Sequence, residues 1–331
     1  MGTASASTSL PCRMLAAANA AYLIDGNGNF TPPPPGTNPI YDAVGWTATP
    51  TAIVGTSGID NEDLNACLVG TSGDGVVVAF RGTLPLTNPL TFEETMDWLQ
   101  DFLVGPYTDS TIQTWGSGVM VHPGWWDAVQ SIASSLSAQL QTLNPQTGSF
   151  YFTGHSKGGP MASIAAMNYA VPNNGQALPV LYTFASPRPG NAAFATAFAN
   201  AGLTQTRYEN LNDIAPLLPP SASDITNVLD VLLGDAEYWE LIDKIWYNVL
   251  TSLLNNTVAP WNYTALGTGY YIDQNGNLQP ADTYAQWGAV LGTATGGGLS
   301  PIADAHCAAC AGTNCQGGYM TGVCPGFCSS S

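Results

Sequence analysis

Charge is what this 331-residue sequence has least of. Only 9% of its residues are Asp, Glu, Lys or Arg, against roughly 25% in an average globular domain. Cations are scarcest: 6 Lys and Arg stand against 23 Asp and Glu, a formal net charge of −17. So few cations cannot neutralise a row of phosphates, which argues against a nucleic-acid partner. They cannot dock the chain electrostatically on an anionic membrane either. A neutral ester, or an uncharged lipid–water interface, stays compatible. No apolar run approaches the roughly 18 residues a spanning helix needs, so no integral membrane segment is expected. Residues 1–10 also lack the basic head and apolar run of a signal peptide.

Apolar residues, at 45%, are plentiful enough for one large α/β core. The surface is left to Ser, Thr, Asn, Gln and Gly, a composition commoner in secreted proteins. Of the 7 cysteines, five crowd the last 25 residues: Cys307, Cys310, Cys315, Cys324 and Cys328. The simplest parity leaves Cys67 free in an apolar strand and ties Cys12 to one of the five. Such a framework belongs to an oxidising compartment, so a secreted chain whose leader has been removed is the favoured reading. A zinc site from His306, Cys307, Cys310 and Cys315 is the rival, set aside because His306 has a better use. No metal and no other cofactor is expected.

The chain carries no internal repeat. Residues 11–23 have apolar positions at helical spacing behind Pro11, and 26–40 form a Gly/Pro loop. Short apolar runs predict buried strands at 66–70, 75–81, 149–153, 179–184 and near 205–210. Helical patterns lie between them at 123–143, 157–170 and 190–201. This alternation predicts an α/β fold whose mostly parallel central sheet has helices on both faces. Residues 236–255 look like an amphipathic helix, whereas 260–300 show no clear periodicity. The stretch 240–300 therefore reads as an insertion-like excursion from a single domain spanning 1–331. Asn255 and Asn262 head N-x-T sequons, acceptors for glycan if a eukaryote secretes the chain.

Within this frame one motif carries chemistry. Gly154, Ser156 and Gly158 form G-x-S-x-G between the strand at 149–153 and the helix at 157–170, the context the motif requires. A strand turning straight into a helix lifts the serine hydroxyl above the sheet at the helix N-terminus, where free N–H groups help hold an anion. A Gly-rich turn with an incidental serine is the plainer alternative; the flanking strand and Ala-rich helix weigh against it.

A serine nucleophile needs a base, and the chain holds only 3 histidines. His155 adjoins the serine, so its ring should point away and pack under the elbow. His122 precedes the elbow and reads as structural or as cleft wall. The α/β-hydrolase order of Ser, acid, His leaves His306. Acid candidates between Ser156 and His306 are Asp213, Asp224, Asp230, Asp235, Asp243, Asp273 and Asp282, with Glu209, Glu237 and Glu240. Asp213 is best placed, directly after the strand near 205–210 and pinned by Pro216, Pro219 and Pro220.

Ordered blocks over residues 76–310 resemble the class 3 lipases, the family of filamentous-fungal triacylglycerol lipases and related feruloyl esterases. VVVAFRGT (76–83) resembles the oxyanion-strand block and DWLQDF (97–102) the segment after the lid. VHPGWWDAV (121–129), GHSKGG (154–159) and TFASPRPGNAAFA (183–195) follow. YENLNDIAPLLPP (208–220) is similar to the acid block, EYW (237–239) recurs, and ADAH (303–306) resembles the histidine block on the feruloyl-esterase side. The resemblance implies an α/β-hydrolase fold with Ser156 as nucleophile, Asp213 as acid and His306 as base. It further implies oxyanion donors at Thr83 and at the Lys157 N–H, and a candidate lid at 84–96 with Leu84, Leu86, Leu90, Phe92 and Met96. Residues 303–331 form a Cys-rich C-terminal segment.

Three features depart from the family's pattern: Lys157 replaces the commoner Leu, the 84–96 segment is long for a lid, and the stretch between Trp239 and His306 looks inserted. The expected activity is carboxylic ester hydrolysis. Triacylglycerol comes first as substrate, supported by the apolar lid candidates and by Trp125 and Trp126. A feruloyl- or cutin-like plant-polymer ester comes second, and a non-catalytic ligand-binding relative is the alternative from another class.

Overall fold

The computed structural model describes residues 8–58, 63–84, 104–172, 176–221, 224, 262–297, 305–308, 318–325 and 327. Eight of its strands form one sheet: β1 (Thr51–Ser57), β2 (Asp63–Ser72), β3 (Gly75–Phe80), β4 (Phe150–His155), β5 (Val180–Phe184), β7 (Thr204–Asn210), β9 (Thr268–Ile272) and β10 (Leu278–Pro280), side by side in that order. The five strands from β3 to β9 run parallel, and antiparallel pairs close both edges. The short strands β6 (Gly190–Asn191) and β8 (Tyr263–Thr264) pair apart from it. Helices flank the sheet: α1 (Leu10–Ala20), α2 (Pro39–Ala43), α3 (Ser110–Gln113), α4 (Pro123–Leu143), α5 (Gly158–Ala170), α6 (Ala192–Asn200), α7 (Thr283–Gly297) and α8 (Tyr319–Val323).

Strand periodicity explains the two layers. Val76, Val78 and Phe80 with Phe150 and Phe152 join one core, which also holds the buried faces of α4 and α5. Their alternates Val77, Ala79 and Tyr151 join a second core with α1 and α8. A strand buried on both faces must have helices on both sides. α5 is buried from Gly158 to Met167, all but its last turn, which its Gly, Ala and Met residues permit. This is the α/β-hydrolase arrangement expected.

Elements not foreseen fall where patterning is weak. β1 (TAIVGTS) has one buried residue, Ile53, and lies at the sheet edge, so its half-exposed sequence gives little signal. Residues 268–280 add β9 and β10 to the main sheet, and Trp287 and Val290 of α7 enter the first core. The description of 240–300 as an excursion is therefore corrected for its second half. Gly269 within β9, the turn residues Asn275, Gly276 and Asn277, and Pro280 in β10 interrupt the strand signal. The candidate lid, apart from Leu84, lies outside the described residues, as do the helix read at 236–255 and much of 303–331.

Cys12 of α1 is bonded to Cys324 after α8, across 312 residues of sequence, and Cys67 is buried and free. Cys307 is also disulfide-bonded. Burial pushes the Cys67 thiol far up, so it stays protonated and inert. Replacing Cys12 and Cys324 together by Ser should lower unfolding stability by about 2–4 kcal/mol. Urea unfolding of the variant checks it; an unchanged midpoint would exclude the bond as a staple.

Candidate active site

β4 ends at His155 and α5 starts at Gly158, leaving two residues to reverse the chain's path. Ser156 accomplishes this in the left-handed region, φ 56°, and Lys157 is already helical at φ −45°. A non-glycine residue there is strained, and that strain persists only when its surroundings over-determine it. Two bonds hold the turn: Ser156 N–H donates to Phe184 O at 3.0 Å, and Gly159 N–H to Ser156 O at 2.8 Å. Backbone crowding explains the glycines. A Cβ on Gly154 would sit 2.1 Å from Gly158 O, and one on Gly158 would sit 2.3 Å from Phe80 O. Ser156 is 3% exposed, recessed rather than displayed.

His306 reaches the same end of the sheet from far along the chain. Its ring centroid lies 4.9 Å from that of His155, the residue before Ser156. Its Nδ1 lies 2.9 Å from Asp213 Oδ2 and 3.0 Å from Oδ1. A carboxylate only accepts, so Nδ1 carries the proton and the basic nitrogen of the neutral ring is Nε2. Asp213 is fully buried, three residues beyond β7. Its Oδ1 also accepts from Ala215 N–H at 2.9 Å, and its Oδ2 from the Tyr319 hydroxyl at 2.7 Å. That hydroxyl in turn accepts from Asn210 N–H at 2.8 Å. Burial first, and the Asp213 charge second, push the Tyr319 hydroxyl well above its usual pKa, which keeps it a donor.

Four other acid candidates are committed elsewhere. Glu209 accepts from Arg207 Nε at 2.9 Å and Gln286 Nε2 at 2.8 Å. Asp273 closes the β9–β10 turn through Asn275 and Asn277 N–H, and Asp282 accepts from Ala285 N–H at the start of α7. Asp224 is buried in an ion pair with Arg188 and accepts from Ser221 N–H at 2.7 Å. Asp230, Asp235, Asp243, Glu237 and Glu240 lie outside the described residues. Among the described residues, Asp213 is the acid bonded to a histidine ring.

Residues 77–223 match the family described as Lipase (class 3). That stretch, less than half of the chain, is similar to the class 3 lipases. A lipase from Rhizomucor miehei is 28% identical over 225 residues, covering 62% of this chain and 57% of that protein. The secreted mono- and diacylglycerol lipase 1 of Fusarium solani is 32% identical over 149 residues, 44% of this chain and 39% of that protein. The chain thus spans about half the length of the curated relatives it matches. In fold, Rhizomucor miehei lipase in its propeptide complex superposes with a TM-score of 0.53 at 18% identity, over 85% of this chain and 76% of that one. An MDLA variant from Penicillium cyclopium gives 0.50 at 20% identity, over 85% and 87%.

In this class 3 lipase relative the remaining candidates fall as follows. Thr83 is exposed at the end of the segment leaving β3, and Gly82 before it packs against His155 O, 2.7 Å from a would-be Cβ. Lys157 caps α5 beside Ser156. His122 is 3% exposed, its ring stacked on Trp125 at 3.8 Å, a structural placement. Trp125 and Trp126 are core residues, Trp126 edge-on to Trp115, so their reading as substrate-facing aromatics is corrected. With Cys307 in a disulfide, the rival zinc set loses one of its ligands. Sequence reasoning missed Tyr319 and Tyr22; neither lies in a chemical motif. A groove of about 800 Å³ between α4 and α5, floored by Leu136, Leu140 and Ala165, includes none of the three triad candidates.

The acid loop is anchored by Arg188, which also donates to Pro219 O at 3.3 Å. Burial alone would raise the Asp224 pKa; the Arg188 charge and the Ser221 bonds outweigh it, and the net shift is downward. A lowered carboxylate stabilises the fold above its unfolded pKa of about 3.9 and loses that contribution as pH falls through the folded value. Asp224→Asn should cost about 3–5 kcal/mol at neutral pH, because Arg188 is left buried without its counter-charge. The deficit should shrink below about pH 4, and urea titrations at pH 7 and 3 measure both. Tyr319→Phe should cost about 1.5–3 kcal/mol, since a charged acceptor and a buried N–H both lose a partner. An unchanged urea midpoint would count against this bond.

Proposed function

We propose that this chain is a carboxylic ester hydrolase that cleaves neutral acylglycerols, triacylglycerol first, through an acyl-enzyme on Ser156. One observation carries the reading: a serine strained at a strand–helix elbow, and a histidine, its ring 4.9 Å from that of the residue before the serine, whose Nδ1–H is bound to a buried carboxylate. Ser156 loses its proton to His306 Nε2 as its oxygen attacks the ester carbonyl. Asp213 stabilises the imidazolium without taking a proton itself. Thr83 and the Lys157 N–H donate to the oxyanion. Donors aimed at developing charge commonly contribute about 3–4 kcal/mol each. The alcohol leaves with the proton from His306, and water then repeats the sequence to release the acid.

The substrate class rests on charge and kinship together. A net charge of −17 disfavours anionic phospholipid surfaces, although one similar protein is the Arabidopsis thaliana phospholipase A(1) DAD1 at 24% identity. The relatives named for acylglycerols fit that preference. The ADAH block (303–306) supports the second reading, an esterase of feruloyl or cutin-like esters. We place the protein outside the cell, supported by the Cys12–Cys324 disulfide and by the secreted relatives.

A fluorophosphonate should add once to the wild type and not to Ser156→Ala, read by intact mass. The same variant should lose ester hydrolysis by at least about 10⁴-fold. Triolein emulsion should be cleaved faster than methyl ferulate or phosphatidylglycerol vesicles. Activity confined to methyl ferulate would remove the acylglycerol assignment, and an unlabelled wild type would leave a non-catalytic ligand-binding relative.

A further inference from the structure

We propose that His155, the residue before the nucleophile, is a positioning residue: as its Nε2–H tautomer it holds the backbone carbonyl of His306, and the Tyr22 hydroxyl selects that tautomer. The role rests on the reading of His306 as the base.

The tautomer follows from the two contacts of the ring. His155 Nε2 lies 2.7 Å from His306 O, and a carbonyl oxygen can only accept, so Nε2 carries a proton. The other nitrogen, Nδ1, lies 2.8 Å from Tyr22 Oη. Burial, and then the neighbouring His306, hold the ring neutral by pushing its pKa well below the usual value. A neutral ring with its proton on Nε2 has a lone pair on Nδ1, so Tyr22 is the donor. Burial keeps that phenol protonated by pushing its pKa far up. The opposite tautomer would set two lone pairs against each other at 2.7 Å.

The consequence for His306 is a hold at both ends. Asp213 fixes the ring at Nδ1, and His155 fixes the peptide from which the ring swings. The next two carbonyls have their own donors: Tyr319 N–H to Cys307 O at 2.9 Å, and Asn19 Nδ2 to Ala308 O at 3.1 Å. Loss of the His155 bond is therefore confined to the His306 peptide and should register in rate before it registers in fold. The same knot reaches the segment that leads to Thr83. A Cβ on Gly82 would lie 2.1 Å from Tyr22 Oη and 2.7 Å from His155 O, so only glycine lets that hydroxyl pass beneath the strand end. Elbow, base and oxyanion segment share one buried junction, and an ångström of misplacement at such a junction costs about 10²-fold in rate.

Three histidines make the test direct. In ¹⁵N-histidine-labelled protein, the signal absent from His155→Gln should report a proton on Nε2 and none on Nδ1. In Tyr22→Phe that ring should show a mixture of tautomers. Fluorophosphonate labelling and kcat should fall about 10–100-fold in His155→Leu, with KM within about twofold. His155→Gln, whose amide N–H reaches toward the same carbonyl, should recover most of that loss. A proton on Nδ1, or His155→Leu labelling as fast as His155→Gln, would overturn the role. If His155→Leu does not fold, the tautomer and labelling rate of Tyr22→Phe decide it: wild-type values in both would overturn it. A wild type that never labels would sink the ester-hydrolase reading instead, while the nitrogen spectrum still judges the His155 geometry.

Discussion

The left-handed turn at Ser156 is the constraint around which the structure is arranged. A serine at φ 56° does not stay there by its own preference. It stays because β4 is locked between β3 and β5, because α5 is buried along almost its whole length, and because the backbones of residues 154, 158 and 80 approach too closely for any side chain. The two cores, one on each face of the sheet, hold that turn as much as they hold the fold. Displacing β3 would release the elbow, because Phe80 O is the atom against which Gly158 packs.

Scarcity of charge has a structural counterpart. All four arginines of the sequence are engaged, each within its own structural junction. Arg13 pairs with Asp74, Arg81 donates to the Ile24, Asp25 and Leu64 carbonyls, Arg188 pairs with Asp224, and Arg207 with Glu209. Arg188 is the one that bears on the site, since it ties the block after β5 to the loop after Asp213. These pairs sit in partly or fully desolvated settings, where removing one partner costs far more than the pair contributes. The four arginines are thus taken up by ion pairs and carbonyl contacts within the fold.

Much of this was legible in the sequence because the deciding residues obey local rules. The continuous apolar runs of β3 and β4 mark strands buried on both faces, the α4 apolar pattern keeps helical spacing, and G-x-S-x-G between a strand and an Ala-rich helix points to an elbow. His306 was accessible by elimination, since a chain with three histidines offers few bases. What escaped has no local rule. β1 and β9 are half-exposed strands whose Thr, Gly and Tyr residues pair well without alternating strongly. Tyr22 and Tyr319 act through single hydroxyls across 133 and 106 residues of sequence, distances at which no spacing argument works. Trp125 and Trp126 read in the sequence as support for a lipid substrate, yet both are buried core residues of α4.

The family match ends at residue 223, and that boundary separates two kinds of work. Inside it lie Ser156, Asp213, and the strand leading to Thr83. Outside it lie His306, Tyr319, which bonds Asp213, and Tyr22, which bonds His155. Tyr22 follows α1 and Tyr319 opens α8, and these helices are the ones joined by Cys12–Cys324. The bond therefore does more than restrict the unfolded chain. It closes the two outlying segments over one face of the sheet, Tyr22 delivering its hydroxyl to His155 and Tyr319 delivering its own to Asp213. The arrangement around Ser156, Asp213 and His306 then depends on both ends of the chain as well as its middle. A variant that kept every residue from 77 to 223 would keep Ser156 and Asp213, but not His306 or the hydrogen bonds that hold it.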